Sequence, residues 1–454
     1  MPHSSIVHDL RSAHSADALL TGAPLPTLLY FALPIVLGNI FQQLYSIVDA
    51  IVVGNFLGDL PLSGISVASP IVDVANALVI GGTIGMGVLC AHYCGAGEGE
   101  RLRCMNATAL LGGGALTLLI ALCGIFFSTP LLRAQGTEEA VCREAAVYLQ
   151  LVFAGLLFCF LYNYYAAMLR SCGNSRTPFL ILLLSSTLHA LLDVLFVGVF
   201  GWGIRGVAFS TVLCQALAAA ACILYAQRRC PPLLLRPANL RFDRQMARLV
   251  LSYAWAAALQ QAVVCIGRLL VQGMLTPLGT STVTGYNMSL RTEQFLFCFS
   301  QGISAAMVVC LSQNLGHGDR PRARRFFRIS VLVELALIAL LGTVCFLFPA
   351  RIVGLFSDNA DVIAAGAQYT GAMAYLYVFA YLGEVIQGFF RGLGRLRLTM
   401  VASLLQVLLR VVLSYLLIPV WGMYGICAAV VSGWVLLVGI EGAYAVRKSS
   451  ALAA

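Results

Sequence analysis

Charged residues are scarce in this sequence and make up only 10% of its 454 residues. Lysine is almost absent, and Lys448 is the single lysine in the chain. The lysine of a phosphate-binding loop is therefore missing, and the chain has neither an HExxH nor a GxSxG motif. These absences argue against ATP hydrolysis, metallopeptidase chemistry and serine hydrolysis, so we expect neither enzymatic activity nor an organic cofactor.

The 15 cysteines are scattered, with no CxxC pair. Only Cys142 falls in a loop predicted to face the outside, so it has no partner there for a disulfide. Isolated thiols of this kind usually pack as small apolar groups. The pattern therefore predicts no disulfide framework, no metal site and no redox centre.

Apolar residues, in contrast, form 60% of the chain, and the mean hydropathy is +0.89. A run of about 20 apolar residues is long enough to cross a bilayer as a helix. Runs of this length predict an all-α polytopic membrane protein with twelve transmembrane helices. The fifth predicted span covers 178–200, and the tenth covers 364–390 as a single helix.

The basic residues indicate how the helices are oriented. Most of the 28 lysine and arginine residues fall on one side when the N-terminus is placed in the cytoplasm, which is the positive-inside pattern. With an even number of spans, both termini are predicted to be cytoplasmic. Because the bases follow the topology, the net charge of +9 does not predict nucleic-acid binding.

The longest polar interruption, QRRCPPLLLRPANLRFDRQMAR, lies near the middle of the chain and predicts a linker between two halves. The predicted parts are a cytoplasmic segment at 1–26, an N-terminal six-helix bundle at 27–226, a cytoplasmic linker at 227–248, a C-terminal six-helix bundle at 249–446 and a cytoplasmic tail at 447–454.

The two halves resemble each other in sequence, as GAGEGERLR and GHGDRPRAR illustrate. Since each half holds six predicted helices, the repeats are expected to run parallel about an axis along the membrane normal, with a binding cavity between them. The aligned pairs include Gly95 with Gly316, Gly97 with Gly318, Arg170 with Arg391 and Gly173 with Gly394.

The first predicted span, TLLYFALPIVLGNIFQQLYSIVDAIVVGNF, contains a single acid, Asp49. A carboxylate inside hydrocarbon costs several kcal/mol unless it is protonated, paired or hydrated, so Asp49 is a functional candidate. Pro34 removes one backbone hydrogen bond earlier in the same helix and is predicted to act as a hinge.

A second acid, Asp193, lies on the fifth span at a depth similar to that of Asp49, counting about 1.5 Å per residue. Two such carboxylates could share a proton or bind Na⁺, or they could simply accept hydrogen bonds from Asn, Ser or backbone donors. His189 lies one turn before Asp193 on the same face of the helix. It could carry a proton or act only as a hydrogen-bonding spacer. Asp73 could join this cluster or be a structural acid.

Six motifs together resemble the multidrug and toxic compound extrusion (MATE) family, most strongly its bacterial DinF-like and MepA-like members. They are PIVLGNIFQQLYSIVDAIVVGNFLG, AHYCGAGEGERLR, LRSCGNSRTP, YNMSLRTEQF, SQNLGHGDRPRAR and RGLGRLRLT. The resemblance implies a V-shaped pair of six-helix bundles around a central cavity. It also implies essential acids at Asp49 and Asp193, although proton-coupled archaeal members often have Asn where this chain has His189.

In the second half, the position aligned with Asp49 is Arg268. An arginine inside a membrane helix requires an anion, and Glu293 lies within about one turn of the same depth. We therefore predict an ion pair between Arg268 and Glu293, with Glu293 alternatively contributing an acid to the substrate site.

Glu384 on the tenth span aligns with Asn163 on the fourth, and both are expected to face the central cavity. A carboxylate there would attract a lipophilic cation, and the resemblance implies an acid on this helix in cation binding, so Glu384 is the first candidate for substrate contact. Asn163 is grouped with the coupling residues. The alternative for Glu384 is a structural hydrogen bond between helices.

Tyrosines on the same two spans could bind flat cations by stacking, or they could be packing residues. These candidates are Tyr162, Tyr165, Tyr377 and Tyr381.

The sequence thus predicts a multidrug efflux antiporter that exchanges amphipathic, mostly cationic compounds for H⁺ by alternating access. Na⁺ coupling and a flippase for lipid-linked precursors remain alternatives. We expect a monomer in the bacterial inner membrane, with the bilayer and small cations as its partners and H⁺ or Na⁺ as the coupling ion.

Overall fold

The computed structural model describes residues 16–234 and 242–447. Within these ranges the chain forms helices and turns, and no β-strand occurs. Residues 1–15, 235–241 and 448–454 lie outside the described residues, so parts of the predicted N-terminal segment, linker and tail are not covered.

The helices are numbered in chain order. They are α1 (Ala16–Thr21), α2 (Pro24–Phe56), α3 (Asp59–Ala96), α4 (Gly99–Ala134), α5 (Glu139–Ser171), α6 (Arg176–Asp193), α7 (Ile204–Arg229), α8 (Arg244–Gly273), α9 (Thr280–His317), α10 (Arg320–Leu347), α11 (Pro349–Gly354), α12 (Ala360–Met373), α13 (Tyr377–Gly392), α14 (Leu396–Trp421) and α15 (Met423–Arg447). A π-helical turn at Val194–Val199 continues α6, and 3₁₀ turns occupy Pro231–Leu233 and Thr276–Leu278.

Among the described residues, 11 helices are long and apolar enough to span a membrane, and the number becomes 12 when α12 and α13 are taken as one bent span. Large apolar side chains lie on the outer surfaces of these helices; Leu184 is 71% exposed and Val420 is 73% exposed. Such surfaces are stable against lipid and would be unfavourable in water. The prediction of an all-α polytopic membrane protein is confirmed.

The predicted tenth span, 364–390, is wrong as a single helix, because α12 and α13 meet at an angle of 57°. At the break, the amide of Ala374 donates to the carbonyl of Gly371 and that of Val378 donates to Tyr375. These three-residue turn bonds replace the four-residue bonds of an α-helix. Within the break, the hydroxyl of Tyr375 lies 3.2 Å from the hydroxyl of Thr343 on α10. Hydropathy could not indicate this contact.

Contacts divide the chain into two compact units. Among the described residues, unit 1 comprises 16–22, 37–234, 242–262 and 312–319, and unit 2 comprises 23–36, 263–311 and 320–447. The chain therefore changes unit inside α2, α8 and α9. The predicted division into bundles at 27–226 and 249–446 stays a prediction.

Each unit has its own apolar core. In unit 1, side chains from α3, α4 and α5 pack together, and Leu102, Leu149 and Tyr164 are completely buried. In unit 2, the core is rich in tyrosine and includes Tyr286 and Tyr369, whose rings are 5.1 Å apart in an edge-to-face arrangement. These cores fix the helices that carry the polar residues described below.

The internal repeat is visible in how helices end. Gly97 and its aligned partner Gly318 have φ of +69° and +89°, and Gly173 and Gly394 have φ of +90° and +74°. Each glycine amide donates to a carbonyl three residues earlier, and the next amide donates to one five residues earlier. This left-handed cap favours glycine because a Cβ would be strained there. Aligned positions in the two halves therefore have the same local structure.

A second aligned pair, Gly95 and Gly316, lies where α3 crosses the end of α9 inside unit 1. A Cβ on Gly95 would overlap the backbone carbonyl of Gln313, and a Cβ on Gly316 would overlap that of His92. Small residues allow helix backbones to approach this closely in membranes. The crossing explains why the end of α9 belongs to unit 1.

Candidate functional site

The site of unit 1 is formed by α2, α6 and α7. Asp49 on α2 and His189 and Asp193 on α6 each offer a side-chain oxygen or nitrogen, and these atoms all lie within 4.8 Å of one another. Asp193 is completely buried, His189 is 6% exposed and Asp49 is partly buried. The two acids that the sequence placed at similar depth are thus brought together by the fold.

His189 is positioned by its own helix and by two neighbours. Its Nδ1 lies 2.8 Å from Oδ2 of Asp193, one turn further along α6. The hydroxyl of Tyr45 also contacts Nδ1, and its ring meets the imidazole edge-on with centroids 5.0 Å apart. On α7, Oγ1 of Thr211 lies 2.9 Å from Nε2. The imidazole therefore joins three helices.

Asp193 has a hydroxyl partner as well. Ser210 of α7 donates a hydrogen bond to Oδ1 of Asp193. Tyr148 of α5 lies close enough to Asp49, Asp73 and Asp193 to interact with all three electrostatically. The acids are therefore surrounded by hydroxyl groups and one imidazole. No lysine or arginine is among the polar contacts that the described residues make with this cluster.

The helix changes its geometry directly after Asp193. Residues Val194–Val199 form a π-helical turn, and the amide of Phe200 donates over 2.9 Å to the carbonyl of Leu195, five residues earlier. Phe196 and Trp202 stack beyond it with centroids 4.9 Å apart. Turns of this kind inside α-helices occur frequently at functional sites. Here the turn immediately follows the buried carboxylate.

The chemistry of this cluster follows from its charges. Two ionised carboxylates this close repel each other strongly in a medium of low dielectric constant. A shared proton or a bound cation removes the repulsion, and the imidazole can also accept a proton. Asp49 and Asp193 together with Ser210 offer oxygen ligands of the kind that a hard cation prefers. The site can therefore exist with different numbers of protons or ions.

Two predicted members of the coupling group lie outside this cluster of ligand atoms. Asp73 on α3 is an electrostatic neighbour of Tyr148, and it is not one of the three residues within 4.8 Å. Asn163 on α5 donates to the carbonyl of Cys159 in its own helix over 2.9 Å. The roles predicted for these two residues stay predictions.

In unit 2, Glu293 on α9 is held by tyrosines. Its Oε2 accepts hydrogen bonds from Tyr369 at 3.4 Å and from Tyr377 at 3.3 Å. Arg410 and Arg268 interact with it electrostatically over longer distances. The predicted Arg268–Glu293 ion pair is not among the ion pairs that the described residues form in this structure.

Glu384 on α13 has a cationic partner that the sequence reading did not assign to it. Its Oε1 lies 2.5 Å from Nη2 of Arg391, two turns later on the same helix, and the two side chains are only 25% and 13% exposed. An organic cation would therefore have to compete with Arg391 for this carboxylate. The predicted substrate contact at Glu384 stays a prediction.

Three of the four candidate tyrosines are buried. Tyr165, Tyr377 and Tyr381 are 2%, 1% and 1% exposed, so their rings contact protein in this structure. The hydroxyl of Tyr381 donates to the carbonyl of Leu296 over 2.7 Å. Tyr162 is partly buried. These rings thus make packing contacts and hydrogen bonds within the protein, and their predicted stacking role stays a prediction.

Pro34 lies inside α2, which continues as a helix on both sides of it. The chain passes from unit 2 to unit 1 between Val36 and Leu37, just after this proline. A missing backbone hydrogen bond near that point is where a helix bends most easily. The hinge role of Pro34 stays a prediction.

Sequence reasoning missed several polar partners. Tyr45 was overlooked although it lies one turn before Asp49 on the same face, and Ser210 and Thr211 form a polar pair in an apolar helix. It also missed Glu334 and Glu441, which are both 0% exposed. Each of these acids is surrounded by apolar sequence, and an isolated acid in an apolar span is a signal from which it could have been recognised.

Glu334 and Glu441 lie in α10 and α15 of unit 2. The hydroxyl of Ser300 is near Glu334 without a well-formed hydrogen bond, and Arg391 attracts Glu441 electrostatically. These groups are not part of the predicted site, and they add two buried acids to the unit that already contains Glu293 and Glu384.

Comparison with known proteins identifies the family. The MatE family model matches residues 34–195 and 256–416, one segment in each half. The chain is 27% identical over 387 residues to the probable multidrug resistance protein YpnP of Bacillus subtilis, covering 85% of this chain and 86% of the relative. It is 26% identical over 355 residues to the FAD transporter of Shewanella oneidensis, covering 76% and 77%.

A solved structure has the same fold. A MOP superfamily transporter from Pyrococcus furiosus superposes with a TM-score of 0.88 over 96% of this chain and 98% of that chain, at 18% identity. The sequence motifs, the internal repeat and the match of the family model all indicate the same family. This polytopic membrane protein belongs to the MatE family of multidrug efflux transporters.

Proposed function

We propose that this chain is a secondary active antiporter that exports amphipathic, mostly cationic compounds in exchange for H⁺. The observation that carries the proposal is the meeting of Asp49, His189 and Asp193 within 4.8 Å. Such a cluster changes its charge when it takes up a proton, because only one of two adjacent carboxylates ionises easily. A buried charge that appears and disappears can drive a change between two conformations.

Histidine favours H⁺ over Na⁺ as the coupling ion. Na⁺ prefers oxygen ligands, whereas the side of Asp193 that faces His189 is occupied by an imidazole nitrogen, which is a poor ligand for Na⁺. The hydroxyl of Ser210 on the other oxygen of Asp193 supports Na⁺ as the second candidate, since it completes a set of oxygen donors with Asp49.

Alternating access supplies the mechanical part of the proposal. Protonation of the cluster on α2 and α6, together with bending near Pro34, is proposed to shift the balance between the two openings. Each step uses residues of this chain and no further cofactor.

The proposed setting is the bacterial inner membrane, with both termini in the cytoplasm and the monomer as the working form. Glu293 and Glu384 are the proposed acids at the substrate site, and nucleic acids play no part. The names of the relatives suggest two classes of substrate, multidrug compounds and the flavin nucleotide FAD. Buried acids favour the cationic class, because an anionic nucleotide would be repelled by them.

The test is transport in sealed proteoliposomes with the pH and sodium gradients imposed separately. We expect efflux of a cationic dye to follow the pH gradient and to be unaffected by the sodium gradient. Asp49→Asn should stop this coupled efflux, and Asp59→Asn, an acid in the exposed first turn of α3, is the matched control. Normal dye efflux by Asp49→Asn would refute the proposal.

The same vesicles separate the alternatives. Efflux driven only by sodium would replace H⁺ by Na⁺ in the mechanism. Movement of FAD in the absence of any dye transport would overturn the cationic substrate class. Movement of a lipid-linked precursor with neither gradient would favour the flippase alternative.

A further inference from the structure

Three cysteines, two from one helix and one from a distant part of the chain, meet at one end of unit 1. Cys90 and Cys94 are one turn apart on α3, and Cys172 follows the last residue of α5. Their three sulfur atoms all lie within 4.8 Å of one another, and those of Cys94 and Cys172 are 3.4 Å apart. The sequence reading, which expected only scattered packing thiols, did not anticipate this cluster.

Hydrogen bonds hold the position of Cys172. The preceding residue, Ser171, donates to the carbonyl of Gly87 on α3 over 2.8 Å. The carbonyl of Ser171 accepts a hydrogen bond from Gln313 on α9 at 2.6 Å. After Cys172 the chain turns at Gly173, whose φ is +90°. The thiol is therefore presented by a fixed turn and not by a loose loop.

The cluster is composed of sulfur alone. Cys90 is completely buried, and Cys94 and Cys172 are partly buried, so the group is enclosed on one side and reachable on the other. No histidine or carboxylate is part of this group among the described residues. Cys230 is an electrostatic neighbour of Cys94 and Cys172 but lies outside the group.

The spacing fits one metal ion. With metal–sulfur bonds of about 2.3 Å, three sulfurs around a central ion are about 4 Å apart. The sulfur atoms here need only small adjustments to reach that arrangement. Thiolate ligands select soft ions such as Cu(I) and Zn(II), and a set of three sulfurs without oxygen or nitrogen fits Cu(I) best.

We propose that Cys90, Cys94 and Cys172 form a three-thiolate site for one Cu(I) ion. As each Cu–S bond forms, the thiol releases its proton to solvent, so the copper stays Cu(I) and no electron is transferred. The predicted topology puts this end of unit 1 in the cytoplasm, where thiols remain reduced. The bound ion would link α3 to the turn between α5 and α6.

The experiment uses the purified full-length protein in detergent without oxygen. Cu(I) is titrated in competition with bathocuproine disulfonate, and the expected result is one Cu(I) held per chain. Replacing Cys90, Cys94 or Cys172 individually with Ser should weaken binding by at least about 100-fold. Cys222→Ser, at a buried cysteine outside the group, is the matched control and should bind like the parent.

Three results would overturn the proposal, two from binding and one from X-ray absorption. One is unchanged Cu(I) binding after all three residues are replaced with Ser, and the other is a loss in Cys230→Ser as large as in the single replacements, which would indicate four ligands. X-ray absorption at the copper edge of the unmutated protein provides a readout that does not depend on the folding of variants. It should show three sulfurs at about 2.3 Å, and nitrogen or oxygen ligands there would contradict the assignment.

Discussion

The buried acids of the two units are arranged in opposite ways. In unit 1, Asp49 lies within 4.8 Å of both Asp193 and His189, and the partners of Asp193 are an imidazole and a hydroxyl group. In unit 2, Glu293 is held by tyrosines and Glu384 is paired with Arg391. Groups that compete for one proton can change their charge easily, whereas an acid neutralised by arginine keeps its charge.

The number of acids inside a membrane protein therefore does not reveal which of them couple proton uptake to transport. Unit 2 contains two buried acids, Glu334 and Glu441, and two partly buried acids, Glu293 and Glu384, whereas only two acids meet in the cluster of unit 1. What distinguishes unit 1 is the close approach of its acids. The following variants test whether coupling resides there.

The largest effect is expected from Asp193→Asn. The amide keeps the size of the side chain and the hydrogen bond with Ser210, but it cannot be charged, so Asp49 loses the neighbour with which it shares a proton. Dye efflux driven by a pH gradient should fall to the level of empty vesicles. Glu293→Gln is the comparison from unit 2, and an equal loss there would show that both units carry coupling.

Arg391→Leu should lower the stability of the fold more than it lowers the rate of transport. It leaves Glu384 without its cation in a mostly buried site, at a cost of about 3 kcal/mol. Thermal unfolding in detergent should therefore begin at a clearly lower temperature. Replacing Glu384 with Leu as well should restore most of the loss, and a double variant as unstable as the single one would contradict the pair.

His189→Asn is expected to weaken efflux without abolishing it. Asparagine can still donate to Asp193, but it removes the imidazole, the one group of the cluster that can carry a positive charge. We expect a loss of about tenfold, in line with other residues that orient a functional group. The pH dependence of efflux should change, and an unchanged profile would remove His189 from the coupling group.

The smallest effect is expected from Glu334→Gln and Glu441→Gln. Neither carboxyl group forms a hydrogen bond or an ion pair with the described residues, and glutamine has nearly the same shape. Efflux should change by less than about twofold, as for substitutions that remove no interaction. A loss as large as that of Asp193→Asn would move coupling to unit 2.

Much of the fold could be predicted because membrane spans are defined by length and hydropathy alone. The break between α12 and α13 could not be predicted from the sequence. It depends on turn hydrogen bonds at Ala374 and Val378 and not on a proline or a polar gap. The shared helix ends at Gly97 and Gly318 were predictable as a repeat, although their left-handed geometry appeared only in the structure.

The site was predictable to a similar degree. Equal depth suggested that Asp49 and Asp193 could meet, because helical rise converts residue number into distance. The contacts of Ser210 and Thr211 could not be inferred, since they depend on how α7 is rotated against α6. The pairing of Glu384 with Arg391 was missed because residues seven apart were not compared, although two helical turns place them on one face.

The π-helical turn after Asp193 has one more consequence. Such a turn holds one residue more than an α-helix would place in the same length, and each residue of an α-helix accounts for about 100° of rotation. If the surplus residue migrates along the helix, the side chains it passes swivel to new directions while the backbone stays hydrogen-bonded. Val194–Val199 thus provides a way to reorient the wall beside the carboxylate without unwinding the helix.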